Sequence, residues 1–150
     1  MPGCLVPGDL ERIQEFVGDP RPEFILENFV VSDGAKVAKV ISGTPCIISV
    51  PSIVPAQKAD GSCVFLDEND RCKIHPVSPF GCSRLDTHMS AVEGTRRVTW
   101  CVTEQIEAHK QQTTFSKWCQ VLDGLNLKAA PLTQRRAAMN REFERVRSNG

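Results

Sequence analysis

Gly61-Ser62-Cys63-Val64-Phe65-Leu66, followed by Arg71-Cys72-Lys73-Ile74-His75-Pro76-Val77-Ser78-Pro79-Phe80-Gly81-Cys82, is the stretch on which the reading of this chain turns. The polar loop Asp67-Glu68-Asn69-Asp70-Arg71 separates two short runs, 64–66 and 73–75. That pattern predicts a β-hairpin whose strands begin at or just after Cys63 and Cys72. Pro79 is placed to start a short turn of helix that presents Cys82. The spacing is Cys63-x8-Cys72-x9-Cys82. A hairpin brings the first two cysteines together and the Pro-Phe-Gly turn swings in the third.

Thiolate is a soft ligand suited to zinc and to iron–sulfur clusters. A metal would also hold together a segment with little regular structure of its own. No CxxC pair occurs in the chain, so zinc-ribbon and thioredoxin-like patterns are excluded. The competing reading treats these residues as small buried hydrophobes, a common fate of free cysteine.

Working outward, Pro7-Gly8 reads as a turn and Asp9 as an N-cap. Leu10, Ile13 and Val17 recur at helical spacing and Gly18 is the stop. A short helix is expected from Pro22 to Asn28, and short strands over 29–31 and 37–41. Gly43, Pro45, Pro51, Pro55 and Gly61 punctuate residues 42–62, which read as an extended loop. Beyond Arg96 the pattern turns helical, with Val98, Val102 and Ile106 as one core stripe and Phe115, Trp118 and Leu122 as the next, ended by Gly124. A last helix is expected from Pro131, with Leu132, Met139, Phe143 and Val146 facing the core.

The chain has 150 residues, 41% of them hydrophobic and 24% charged, as one ordinary globular domain would. The 18 basic and 18 acidic residues cancel, which argues against a nucleic-acid binder. Acidic residues gather before residue 32 and arginines (135, 136, 141, 145, 147) near the C-terminus. Charged Asp9, Glu11, Arg12 and Glu15 interrupt any signal-peptide apolar core, and no run is long enough to span a membrane. A cytoplasmic location is expected, where lasting disulfides are rare. The odd count of seven cysteines points the same way, because full pairing leaves one over.

The blocks Cys63-Val64-Phe65-Leu66, Cys72-Lys73-Ile74-His75 and Pro79-Phe80-Gly81-Cys82, preceded by Asp9-Leu10-Glu11-Arg12-Ile13, resemble in order and spacing the YkgJ-type cysteine-cluster family, described as a zinc- or iron-chelating domain. Asp86-Thr87-His88-Met89 is similar to a tail found in one branch. The resemblance covers roughly residues 3–90 and implies a metal site. The sequence departs from the family pattern in holding only Cys4 where the family places a dense N-terminal cluster, as a copy lacking the first part of that cluster would. Ser78 replaces the usual arginine.

The candidate metal ligands are Cys4, Cys63, Cys72 and Cys82, with His88 and His75 behind them. Four thiolates satisfy a tetrahedral zinc or one four-iron cluster. His75 stands three residues after Cys72, an odd separation that in a strand puts it on the opposite face and favours a supporting role. His88 has Asp86 nearby to orient its imidazole. Cys46, Cys101 and Cys119 read as packing, His109 as exposed surface, and the acidic loop at 67–70 as a solvated turn. No GxSxG elbow, P-loop or dinucleotide turn is present.

The expected fold is α+β and mostly helical, a small single domain with a short β-hairpin and long loops around a cysteine metal site (4–90) and a helical part (95–150). The expected function is metal binding, with zinc or an iron–sulfur cluster as cofactor. An iron–sulfur oxidoreductase or accessory enzyme is one alternative. A metal-free interaction module with buried cysteines is the other. The partners expected are a metal ion, no nucleic acid, no membrane, and an acidic protein surface for the basic C-terminal helix.

Overall fold

The computed structural model of the chain describes residues 3–125. The helix expected from Pro131, with its arginines, lies outside the described residues.

The chain begins with an extended segment that pairs Leu5 N–H with the Ile53 carbonyl at 2.9 Å. It then turns into helix α1, Asp9–Val17. Gly8 carries φ 92° at the entry, so the helix starts at Asp9 instead of being capped by it. Gly18 closes it with φ 76°, its N–H reaching the Gln14 and Glu15 carbonyls, as a left-handed C-terminal glycine does. Leu10 and Ile13 are buried, whereas Val17, expected to face the core with them, is exposed. Helix α2, Pro22–Asn28, follows with proline in its first turn, where the missing N–H is no loss.

Strands β1 (Phe29–Ile41) and β2 (Thr44–Pro55) form a long antiparallel hairpin where short strands and an extended loop were expected. Ser42 and Gly43, at φ 49° and 80°, make the two-residue turn whose twist matches paired strands. The prolines that argued for a loop fit because a two-stranded ribbon is all edge, so an absent N–H costs no ladder bond on the open side. Pro51 faces a bulge, since the register steps from Ser32↔Ser52 to Ala35↔Val50. Gly34, at φ 64°, allows it: a side chain there would strike the Val50 carbonyl.

The hairpin expected over 63–75 is reduced to isolated bridges, Gln57↔Cys63 and Leu66↔Cys72. Its runs are too short for a ladder and are held by other means. Asp67 Oδ1 accepts from Asn69 N–H (2.8 Å) and Arg71 N–H (2.9 Å), and Lys73 N–H reaches the Phe65 carbonyl at 2.8 Å. A 3-10 turn, His75–Val77, leads to the short helix α3, Phe80–Arg84, behind Pro79 as anticipated.

Helix α4, Ala91–Lys110, starts ahead of Arg96 because Ser90 Oγ accepts from Glu93 N–H at 3.2 Å. Its buried residues are Cys101, Gln105 and Ala108, while Val98 of the expected stripe is exposed and Val102 and Ile106 are half-buried. Helix α5, Thr114–Gly124, buries Phe115, Ser116, Cys119 and Leu122. The core joins Leu5, Leu10, Ile13 and Phe24–Leu26 to the base of the hairpin and to α5. Phe65 stacks into it, 5.5 Å from Phe29 and 6.3 Å from Phe24 between ring centroids, and so anchors the cysteine loop. The described part is thus an α+β fold with five helices and one hairpin. Among the described residues no helix is long and apolar enough to cross a membrane.

Candidate metal centre

The site begins with two Gly-Cys dipeptides, Gly3-Cys4 and Gly81-Cys82, packed backbone to backbone. Gly81 N–H donates to the Cys4 carbonyl at 2.9 Å. A Cβ at Gly81 would collide with Cys4 N and lie 2.6 Å from Gly3 Cα; one at Gly3 would collide with Cys82 N and lie 2.6 Å from Cys82 Sγ. Glycine at both positions is therefore what lets Cys4 and Cys82 come together.

Asp9 locks this junction. Its side chain is 3% exposed. Oδ2 accepts from Val6 N–H (3.1 Å) and from Phe80 N–H (3.0 Å). Arg12 binds Oδ1 at 2.7 Å and extends to the Ser78 carbonyl at 3.3 Å. Burial pushes the Asp9 carboxyl up, partly offset by those two N–H groups and by Arg12. Asp9 and Arg12, both in the Asp9–Ile13 block, are thus the clamp between the N-terminal segment and the loop that carries Cys82.

Cys63 and Cys72 come from the loop anchored by Phe65 and Ile74. Burial raises the Cys63 thiol, opposed by the Phe65 N–H, with Cys72 adding to the rise. Cys82 is raised first by shielding of its sulfur. The Gly3 N–H lowers it, and the neighbouring charges of Cys63, Cys72 and Cys4 raise it. Although residue Cys82 as a whole is exposed, Gly3 covers its sulfur. The four expected cysteines therefore occupy one electrostatic neighbourhood assembled from three chain segments.

A fifth cysteine joins them. Cys101 Sγ on α4 lies 3.5 Å from Cys4 Sγ. That contact holds the Cys4 thiol down at about 7 against the opposing effect of burial. Cys101 is pushed far up by the same contact and by burial. Sequence reasoning placed Cys101 in the core, and it is 2% exposed, but its sulfur faces the cluster. The remaining two stand apart: Cys46 donates from β2 to the Lys39 carbonyl at 3.3 Å, and Cys119 is a core thiol pushed up to about 12 by burial and by Asp123.

Of the histidines, two are exposed. His75 is exposed in the 3-10 turn, and His88 is exposed in a turn where its N–H meets Asp86 Oδ1 at 2.8 Å. His109, expected on the surface, ties three elements together through Nδ1 to Ser116 Oγ (3.1 Å) and Nε2 to the Pro51 carbonyl (2.8 Å).

The donor set fits a soft metal in its chemistry, being thiols alone. Among the described residues, no three Cys, His, Asp or Glu side chains are gathered tightly enough to grip one ion. Among known proteins, no family model, no curated sequence and no solved structure matches the chain.

Proposed function

We propose that this chain is a metal-binding protein of the YkgJ type, holding zinc or an iron–sulfur cluster through Cys4, Cys63, Cys72 and Cys82. The observation that carries the reading is the meeting of Cys4 and Cys82, distant in sequence, at the Gly3–Gly81 contact, with Cys63 and Cys72 near enough to raise the Cys82 thiol. Packing alone has no need of it, because buried free cysteines are satisfied by any apolar surroundings, and Cys119 illustrates that case. The metal would contribute a cross-link between the N-terminal segment, the Phe65 loop and α3. The bound ion would also lower the thiol pKa values, as coordination does. His75 and His88, both exposed, are left as supporting residues and not ligands. The role of the centre is that of a structural or carrier site, with iron–sulfur redox chemistry as the outcome if the metal is iron.

The test is the metal content and visible absorption of protein purified without oxygen, beside the triple variant Cys63→Ser, Cys72→Ser, Cys82→Ser. Bound iron with sulfide, or zinc near one per chain, lost in the variant, is the expected result. Folded wild-type protein without metal would overturn the proposal and leave the cysteines as packing.

A further inference from the structure

We infer that Cys4 and Cys101 are a reversible redox pair, which a small hydroperoxide closes to a disulfide and a dithiol reopens. The inference goes beyond metal binding and does not depend on it. The two sulfurs, 97 residues apart in sequence, lie 3.5 Å from each other, against about 2.05 Å in a disulfide. They come from different segments, Cys4 from the extended N-terminal stretch and Cys101 from α4.

The juxtaposition is held by hydrogen bonds around both residues. Leu5, next to Cys4, donates its N–H to the Ile53 carbonyl at 2.9 Å. Its carbonyl accepts from Gln105 Nε2 at 2.7 Å, and the same nitrogen reaches Ser52 Oγ at 2.8 Å. Gln105 is 2% exposed and stands one turn after Cys101 on α4. The Cys4 carbonyl itself accepts from Gly81 N–H at 2.9 Å. The two sulfurs therefore meet on backbones already held in place.

Cys4 is half-buried and Cys101 is 2% exposed, so the oxidant meets Cys4 first and has to be small. The Cys4 sulfur attacks one peroxide oxygen as a thiolate. The O–O bond breaks, one oxygen stays on sulfur as a sulfenic acid, and the other leaves with the thiol proton as water. The Cys101 sulfur then attacks the Cys4 sulfur. The S–O bond breaks and the hydroxyl leaves with the Cys101 proton as a second water. The sulfurs have together lost two electrons and the peroxide has gained them; a dithiol returns them by exchange. The disulfide would tie the N-terminal segment to α4. It would also take Cys4 out of the ligand set proposed above, so a loaded centre would loosen on oxidation.

The experiment uses the full chain, reduced and freed of reductant without oxygen, and treats it with stoichiometric hydrogen peroxide. Remaining thiols are then alkylated under denaturing conditions and the peptides mapped by mass spectrometry. Wild type is expected to lose two of its seven free thiols, to yield a linked Cys4–Cys101 peptide, and to recover both thiols with dithiothreitol. Cys101→Ser is expected to stop at the Cys4 sulfenic acid, which dimedone captures. The core control Cys119→Ser is expected to form the disulfide as wild type does, with circular dichroism confirming that each variant is folded. Folded, peroxide-treated wild type in which Cys4 and Cys101 remain thiols would overturn the inference, as would Cys4 found linked to Cys82 instead. Metal content is measured on the same samples before oxidation. Metal-free protein that forms the disulfide keeps this inference while the proposed centre falls, and metal-bearing protein that does not form it does the reverse.

Discussion

Where residues 3–12 meet residues 78–82, backbone touches backbone. Gly3 lies on Gly81, and a single buried carboxylate, Asp9, gathers N–H groups from Val6 and Phe80. The first half of α4, Ala91–Trp100, meets mostly solvent instead. Val92 is 81% exposed there, and the helix is held by the Ser90 cap and by Glu93 reaching Arg96 (2.9 Å) and Arg97 (2.6 Å). Such exposed ion pairs contribute little. The Phe80–Trp100 ring contact, 5.0 Å between centroids, joins the two regions. In the junction one atom too many has nowhere to go, whereas in the helix the backbone's own hydrogen bonds do most of the work and side chains are interchangeable. Substituting the same residue type in each place separates these two modes of construction.

The largest effect is expected at Gly81→Ala. Alanine favours a helix over glycine by about 1 kcal/mol, and Gly81 is in α3. The new Cβ, however, meets Cys4 N and Gly3 Cα, which are backbone atoms that cannot swing aside. Overpacking of this kind costs typically 1–3 kcal/mol, and the collision with backbone places this case at the upper end. The net expectation is a loss of about 2 kcal/mol in urea unfolding, together with release of the Cys4 segment. Unchanged stability would mean that residues 3–6 do not dock on α3, and the comparison would collapse.

Asp9→Asn probes the same junction by charge. Burial holds the Asp9 carboxyl above its usual value, so the folded protein binds that proton more tightly than the unfolded chain does. Its protonation therefore contributes stability that is fully present below the ordinary carboxylate range and is lost as pH rises through the folded value. The stability advantage of wild type over Asp9→Asn should be widest in acid and shrink toward neutral pH, by about 1.4 kcal/mol for each unit of raised pKa. Urea titrations of the two proteins across that range measure it. A gap that widens with pH would show that the N–H groups and Arg12 outweigh burial.

Much of this junction was legible in the sequence, because its parts carry local signatures. Pro22, Gly8 and Gly18 mark α1 and α2, and the spacing of Cys63, Cys72 and Cys82 marks the loop. The hairpin was missed because Pro45, Pro51 and Pro55 count against a strand inside a sheet but not in a ribbon with open edges. The face of α4 was misread because Val98, Val102 and Ile106 are more apolar than Cys101 and Gln105. What buries Gln105 is its hydrogen bonds to Leu5 and Ser52, partners 100 and 53 residues away. Cys101 beside Cys4 and His109 between Ser116 and Pro51 are pairings of the same long-range kind, which periodicity does not encode. A further local clue, which the cysteine spacing does not contain, was the pair of Gly-Cys dipeptides, since glycine before each cysteine is what their contact demands.

The smallest effect, and the sharpest contrast, is expected at Gly94→Ala. Gly94 occupies the second turn of α4, and its nearest neighbours to a new Cβ are Met89 Sδ at 3.4 Å and Cγ at 3.7 Å. Those are ordinary contact distances to the end of a flexible side chain, and thioethers adapt readily. Nothing opposes the helical preference for alanine, so the change is expected to stabilise by about 0.5–1 kcal/mol. Urea unfolding beside Gly81→Ala reads the two signs in one experiment. Opposite signs mean that the glycine of the junction is required by its neighbours and the glycine of α4 is not. A destabilised Gly94→Ala would show that Met89 is pinned against the helix, and that the first half of α4 is packed as tightly as the junction it was contrasted with.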